Sequence, residues 1–174
     1  MLVYSAMNVL ISADDIQTRV RSLAQEITRD HPEGVHLVCV LKGAFIFLSD
    51  LARNLPAQTT LDFMAVSSYG ASTKSSGQVQ VLKDLDSPIE GRDVLIVEDI
   101  VDTGLTLTYL QDILRARSPR RLRTACLLSK PSRRKIDVKV EYVGFTIEDK
   151  FVVGYGLDYA EQYRNLPHIA VIGD

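Results

Sequence analysis

Val94-Leu95-Ile96-Val97-Glu98-Asp99-Ile100-Val101-Asp102-Thr103-Gly104-Leu105-Thr106 decides how this chain folds. An apolar run ends in two acids, a short Thr/Gly loop follows, and Leu107, Leu110, Ile113 and Leu114 then recur at helical spacing. The pattern predicts a buried parallel strand that turns through a phosphate-sized loop into a helix N-terminus. Free backbone N–H groups at such an end favour an anion, and Thr103, Thr106 and Thr108 place hydroxyl donors beside them. Carboxylates next to a phosphate would repel it unless they bind sugar hydroxyls, hold a metal or accept a proton. A sugar phosphate meets all three conditions. Asp102, at the mouth of the loop, is the candidate general base.

Outward from this unit, the chain alternates as an α/β protein should. Ser12-Ala13-Asp14-Asp15 resembles a capping box, and Ile16, Val20, Leu23 and Ile27 mark one helical face that stops before His31-Pro32-Glu33-Gly34. Val35–Leu41 predicts a buried strand, Ala44–Asn54 a helix, and Thr60–Val66 a second strand. Ser67–Gly77 turns to Ser, Gly, Thr and Lys, the composition of a loop of the length that often serves a site. Strands are expected at Val79–Leu82, Arg123–Leu128 and Lys139–Phe145, with Phe151–Val153 opening an irregular tail rich in Tyr and Gly. Lys42-Gly43 and Lys130 both end predicted strands, so they should open on the same carboxyl edge as Asp102.

The 174 residues fit one domain, able to bury about two-thirds of its unfolded surface. A net charge of −2 and a pI near 5.9 supply no bulk attraction for nucleic acid or an anionic membrane, and neither is expected as a partner. Arg115, Arg117, Arg120, Arg121 and Arg123 cluster, as do Lys130, Arg133, Arg134 and Lys135; most of these read as a solvated face. Cys39 and Cys126 lie inside apolar runs and read as buried free thiols, and the three His are scattered, against a zinc motif. The N-terminus lacks a signal-peptide pattern, and a cytoplasmic location is expected.

With these residues in hand, Val94–Thr106 resembles the phosphoribosyl-diphosphate signature of the type I phosphoribosyltransferases. Leu41-Lys42-Gly43-Ala44-Phe45, Ser67-Ser68-Tyr69-Gly70, Leu127-Leu128-Ser129-Lys130-Pro131 and the stretch from Asp149 to Tyr159 are similar, in order, to the bacterial hypoxanthine(-guanine) branch of that family. The resemblance implies an α/β fold. A central, mainly parallel twisted sheet would be flanked by helices and topped by a small hood from the chain termini. It further implies a single domain over 1–174, with a mobile loop near 67–80 and a hood mainly at 145–174.

By the same resemblance, the substrates would be phosphoribosyl diphosphate and a 6-oxopurine, with Mg²⁺ as cofactor and a homo-oligomer, dimer or tetramer, as the assembly. Leu41, Lys42 and Gly43 would meet the diphosphate, with an unusual cis peptide before Gly43. Glu98 and Asp99 would bind the ribose hydroxyls directly or through Mg²⁺. Asp102, Thr103, Gly104, Leu105 and Thr106 would cradle the 5′-phosphate. Ser68 and Tyr69 would head the mobile loop, Asp158 would help hold Mg²⁺, and Arg164 would offset the leaving group's charge. On the purine side Phe151 would stack on the ring, and backbone at Val152 and Asp158 would read the 2-position. Lys130 donates hydrogen bonds and accepts none, so it suits a 6-oxo group and opposes adenine's amino donor.

Two positions depart from relatives: Leu105 stands where animal members carry Lys, and Ser129 where bacterial ones often carry an acid. A transferase acting on xanthine or a pyrimidine remains open, as does an RNA-binding regulator on the same fold.

Overall fold

A computed structural model describes residues 7–68 and 79–173. In chain order the elements are β1 (Asn8–Ile11), α1 (Ala13–Asp30), β2 (His36–Leu41), α2 (Phe45–Ala52), β3 (Thr60–Ser68), β4 (Val79–Lys83), β5 (Asp93–Val101), α3 (Leu105–Arg115), β6 (Arg121–Ser129), β7 (Tyr142–Thr146), β8 (Val152–Val153) and β9 (Ile169–Val171). A single turn of 3-10 helix, Pro131–Arg133, follows β6.

The large sheet runs β4-β3-β2-β5-β6-β7, parallel throughout except for antiparallel β4. Its central strands are buried on both faces. Leu37, Cys39, Leu95, Val97 and Leu127 pack into a core with Ile16, Val20, Leu23 and Ile27 of α1 and Phe47, Leu48 and Leu51 of α2. Val38, Val40, Ile96 and Cys126 pack with Leu107, Leu110 and Leu114 of α3 on the other side. This double burial is why these strands read as continuous apolar runs. Chain order reverses between β2 and β5: β2 continues to β3 on one side, and β5 to β6 on the other. A crevice at the carboxyl ends of two such strands is where open α/β sheets bind ligands.

Local choices agree with this frame. Ser12 caps α1, its hydroxyl accepting from the Asp15 N–H at 3.1 Å, with Asp14 and Asp15 in the first turn and Arg29 in the last. Arg19 of α1 donates to the carbonyls of Val143 (2.7 Å) and Gly144 (2.8 Å), tying the helix to edge strand β7 and satisfying carbonyls there.

The expected elements are present, with four differences. β7 starts at Tyr142 rather than Lys139, and β3 runs on to Ser68, two residues into the expected loop. Tyr69 and the rest of that loop to Gly77 lie outside the described residues. β1 and β9 were not foreseen: they pair antiparallel with each other, and β9 pairs with β8, giving the small hood sheet β1-β9-β8. At three or four residues each, they are too short to declare a period. Lastly, the cis peptide is Leu41–Lys42, one bond earlier than the one preceding Gly43.

Asp62 in β3 is a buried acid that fastens the connector ahead of β5. It accepts from the N–H groups of Phe63 (2.8 Å), Asp86 (3.0 Å) and Ser87 (3.2 Å). Burial pushes its carboxyl up, but these donors and Lys83 outweigh that and hold it below the usual range. Asp62→Ala is expected to cost about 2–4 kcal/mol in urea unfolding, since it strands buried donors. Because the folded-state value is depressed, this stabilisation is present above the ordinary carboxylate range. It fades as pH falls through the depressed value, so wild type and variant should converge in acid.

Candidate active site

Three strand ends and the hood meet at the crevice. After β5, the chain turns at Gly104 (φ 86°) into α3, and an added Cβ there would come within 2.9 Å of Val138 Cγ1 and 3.1 Å of the Ile136 carbonyl oxygen. The resulting pocket of about 100 Å³ is lined by Glu98, Ile100, Val101, Asp102, Thr103, Gly104, Thr106 and Leu107. It lies at the N-terminus of α3, where the Leu105 N–H makes only a long 3.4 Å hydrogen bond to Thr103 Oγ1, the kind of place where an anion binds. Leu105 is exposed at the start of the helix, and Thr108 does not line the pocket; its hydroxyl is buried without a partner.

Glu98 and Asp99 are adjacent on β5. Burial pushes the Glu98 carboxyl well above its usual range, and the neighbouring Asp99 charge adds to this. Asp99 is raised mainly by burial and also by Asp158, against the lowering influence of the Ile100 N–H and Arg164. Its Oδ1 accepts from the Ile100 N–H at 2.6 Å, and its Oδ2 lies where a side chain at position 43 would begin: a Cβ on Gly43 would be 1.7 Å away. A buried acid and a half-buried neighbour, both with raised pKa values in a crevice, mark a place where charge or hydroxyl donors are meant to arrive.

The hood reaches this point by backbone contact. Gly156 (φ 100°) packs so closely that a Cβ would lie 2.1 Å from the Gly43 carbonyl oxygen. Arg164 Nη1 donates to the Gly156 carbonyl at 2.8 Å and its Nη2 pairs with Asp158 at 3.2 Å, which draws both residues to the end of β2. Lys42 Nζ pairs with Glu161 at 2.9 Å.

At the end of β6, the Lys130 N–H donates to the Val101 carbonyl at 3.0 Å, joining the Lys130 loop to the Asp102 loop. The Lys130 side chain is nearly buried and lies 3.8 Å from Asp149. Asp149 thus supplies a carboxylate that Ser129 does not. Phe151 leaves half its surface open (52 %) and meets Tyr159 edge to face at 5.7 Å between ring centroids. Val152 is buried in β8.

Sequence reasoning missed Arg133, Arg134, Asp149 and Glu161 near these groups. Arg133 Nε lies 3.1 Å from Asp102 Oδ1. Arg134 is not part of a solvated face: Nη1 donates to the carbonyls of Val101 (2.6 Å) and Asp102 (2.5 Å), and Nη2 to Ser129 Oγ (2.8 Å). The signal was the proline-started turn after Lys130, which folds position 134 back over the strand ends. The side chain of Ser68 and all of Tyr69 lie outside what the structure describes. Cys39 and Cys126 are buried free thiols, pushed up to about 12 by burial and by nearby acids, and so are unsuited to nucleophilic work. Among the described residues no group of three or more His, Cys, Asp or Glu could by itself hold a metal, and no helix is long and apolar enough to cross a membrane.

Residues 12–160 match the model of the phosphoribosyl transferase domain. The hypoxanthine-guanine phosphoribosyltransferase of Bacillus subtilis is 50% identical over 173 residues, spanning 99% of this chain and 96% of that protein. A hypoxanthine-guanine phosphoribosyltransferase of Bacillus anthracis, solved with a HEPES molecule in its active site, aligns with a TM-score of 0.91 at 48% identity, covering 95% of this chain and 98% of its own. A hypoxanthine phosphoribosyl transferase of Trypanosoma cruzi, studied for the role of its C-terminal region in oligomeric state and activity, aligns with a TM-score of 0.91 at 40% identity over 99% of this chain and 95% of its own.

Proposed function

The chain belongs to the phosphoribosyl transferase domain family, and from that membership we propose that it transfers the 5-phosphoribosyl group of phosphoribosyl diphosphate to N9 of hypoxanthine and guanine. The products are IMP or GMP and diphosphate. One observation carries the reading: a phosphate-sized loop, two adjacent acids with raised pKa values and a nearly buried lysine converge at the carboxyl edge of the sheet.

The residues divide the work by chemistry. Thr103, Gly104, Leu105 and Thr106 hold the 5′-phosphate on backbone donors at the α3 N-terminus. Glu98 and Asp99 receive the ribose hydroxyls, whose O–H groups donate to the two carboxylates. As N9 attacks the anomeric carbon and the bond to diphosphate breaks, positive charge develops on the sugar, and carboxylates beside it stabilise that state. Asp102 takes the proton from N7 of the purine. Leu41, Lys42, Gly43 and Arg164 receive the departing diphosphate.

Mg²⁺ fits the donor set. Asp99 and Asp158 lie close enough to feel each other's charge. A hard, strongly hydrated ion is usually held by one or two carboxylates together with substrate phosphates. Asp158 would hold it on the diphosphate side and Glu98 and Asp99 on the ribose side, and when bound it would offset the diphosphate's charge.

Phe151 stacks on the purine with its open face, Lys130 donates to the 6-oxo group, and backbone at Val152 and Asp158 reads the 2-position. Lys130→Ala is expected to lower kcat/KM for hypoxanthine about ten- to a hundredfold, the worth of a charged hydrogen bond, while leaving KM for the donor unchanged. Its discrimination against adenine should narrow; an unaltered base profile would refute the assignment. Self-association as a dimer or tetramer is part of this reading, supported by the Trypanosoma cruzi relative studied for its oligomeric state.

The direct test mixes purified protein, Mg²⁺ and phosphoribosyl diphosphate with hypoxanthine, guanine, xanthine, adenine or uracil in separate reactions. Nucleotide from hypoxanthine and guanine, with little from the others, is the expected result. No product from any base would overturn the reading.

A further inference from the structure

Lys42 and Arg164, the two cations assigned to the diphosphate, already share an anion. Glu161 places Oε2 2.9 Å from Lys42 Nζ and Oε1 3.3 Å from Arg164 Nη2, so one carboxylate spans both. Glu161 is distant in sequence from Lys42 and reaches it because the hood segment is bent to present it. Ala160 (φ 50°), Glu161 (φ 65°) and Tyr163 (φ 77°) all take left-handed backbone, a conformation that non-glycine residues adopt only when their surroundings hold them there. Two things hold it here: the Glu161 N–H donates to Asp158 Oδ2 at 2.9 Å, and Tyr159 and Gln162 exchange backbone hydrogen bonds at 3.1 and 3.0 Å. The arrangement directs an acid, on an otherwise exposed loop, at the two cations a diphosphate needs.

Resting on the transferase reading, we infer that Glu161 is a resident counter-anion of the diphosphate subsite, and that diphosphate binds by exchanging with its carboxylate. Lys42 holds the Glu161 carboxyl below its usual range, with Arg164 adding to the effect, so it stays ionised near neutral pH. A tethered carboxylate competes at high effective concentration with any anion offering no more than its single charge. Diphosphate, with several charges and a longer span, can displace it. Glu161 therefore weakens binding of diphosphate, favours its release, and selects against smaller anions.

The test is calorimetric titration of the full chain with inorganic diphosphate at fixed Mg²⁺ and low ionic strength, for wild type, Glu161→Gln and Glu161→Ala. Both variants should bind diphosphate about two- to fivefold more tightly, the range set by exposed ion pairs. The gap should close as salt screens the competing carboxylate, a response that a merely structural role would not produce. Unchanged or weaker affinity in both variants overturns the inference while leaving the transferase reading intact. Failure of the folded wild-type protein to bind diphosphate overturns the donor-site reading and the inference with it.

Discussion

Asp102→Asn should lower kcat for nucleotide formation by about two to four orders of magnitude, the range for a lost general acid–base group, with KM for phosphoribosyl diphosphate nearly unchanged. Asn keeps the shape of Asp and an oxygen that can accept from Arg133, which lies 3.1 Å from the carboxylate in the parent. The backbone carbonyl of Asp102, held by Arg134 at 2.5 Å, is untouched by the change. What Asn loses is the ability to take a proton from N7. A steady-state series over both substrates separates the possibilities. A fall confined to kcat supports the base; turnover within a few fold of the parent removes Asp102 from that role.

Gly43→Ala is expected to be nearly as severe although it removes no side chain from the site. The new Cβ would sit 1.7 Å from Asp99 Oδ2 and 2.7 Å from its Cγ, so Ala and the present position of Asp99 cannot coexist. Asp99 is not free to withdraw: it is half-buried in the crevice and bound through Oδ1 to the Ile100 N–H at 2.6 Å. The Gly43 loop cannot withdraw easily either, because Gly156 lies against its carbonyl. Displacement by about 1 Å of a positioning group can cost about 10²-fold, and a loss of at least that size in kcat/KM for the donor is expected. A double-mutant cycle identifies the cause. If the clash acts through Asp99, adding Gly43→Ala to Asp99→Ala should cost little more than Asp99→Ala alone; full additivity would place the damage elsewhere.

Much of the core fold could be read along the chain because its strands are buried on both faces. β2, β5 and β6 stand out as apolar runs, and α1 and α3 as helical stripes with their own caps or turns. The strand, Thr/Gly turn and helix start from Glu98 to Thr106, proposed to hold the phosphate, were legible for the same local reason: they are contiguous and need no reference to distant residues. β1 and β9 were not legible. Each is too short to show alternation, and each becomes a strand only because the chain's two ends meet.

The same division runs through the site. Local sequence was enough to mark Lys42, Glu98, Asp99, Asp102 and Lys130 as groups at strand ends, since the direction of a parallel sheet sends every carboxyl end to one edge. Only the tertiary structure decided what each group faces: Arg133 beside Asp102, Arg134 over the Asp102 and Ser129 backbone, Asp149 near Lys130, Glu161 between Lys42 and Arg164. Chain periodicity reports which face of an element is buried. It is silent on which charges, more than a hundred residues apart in the case of Lys42 and Glu161, are brought within 3 Å when the hood closes on the sheet.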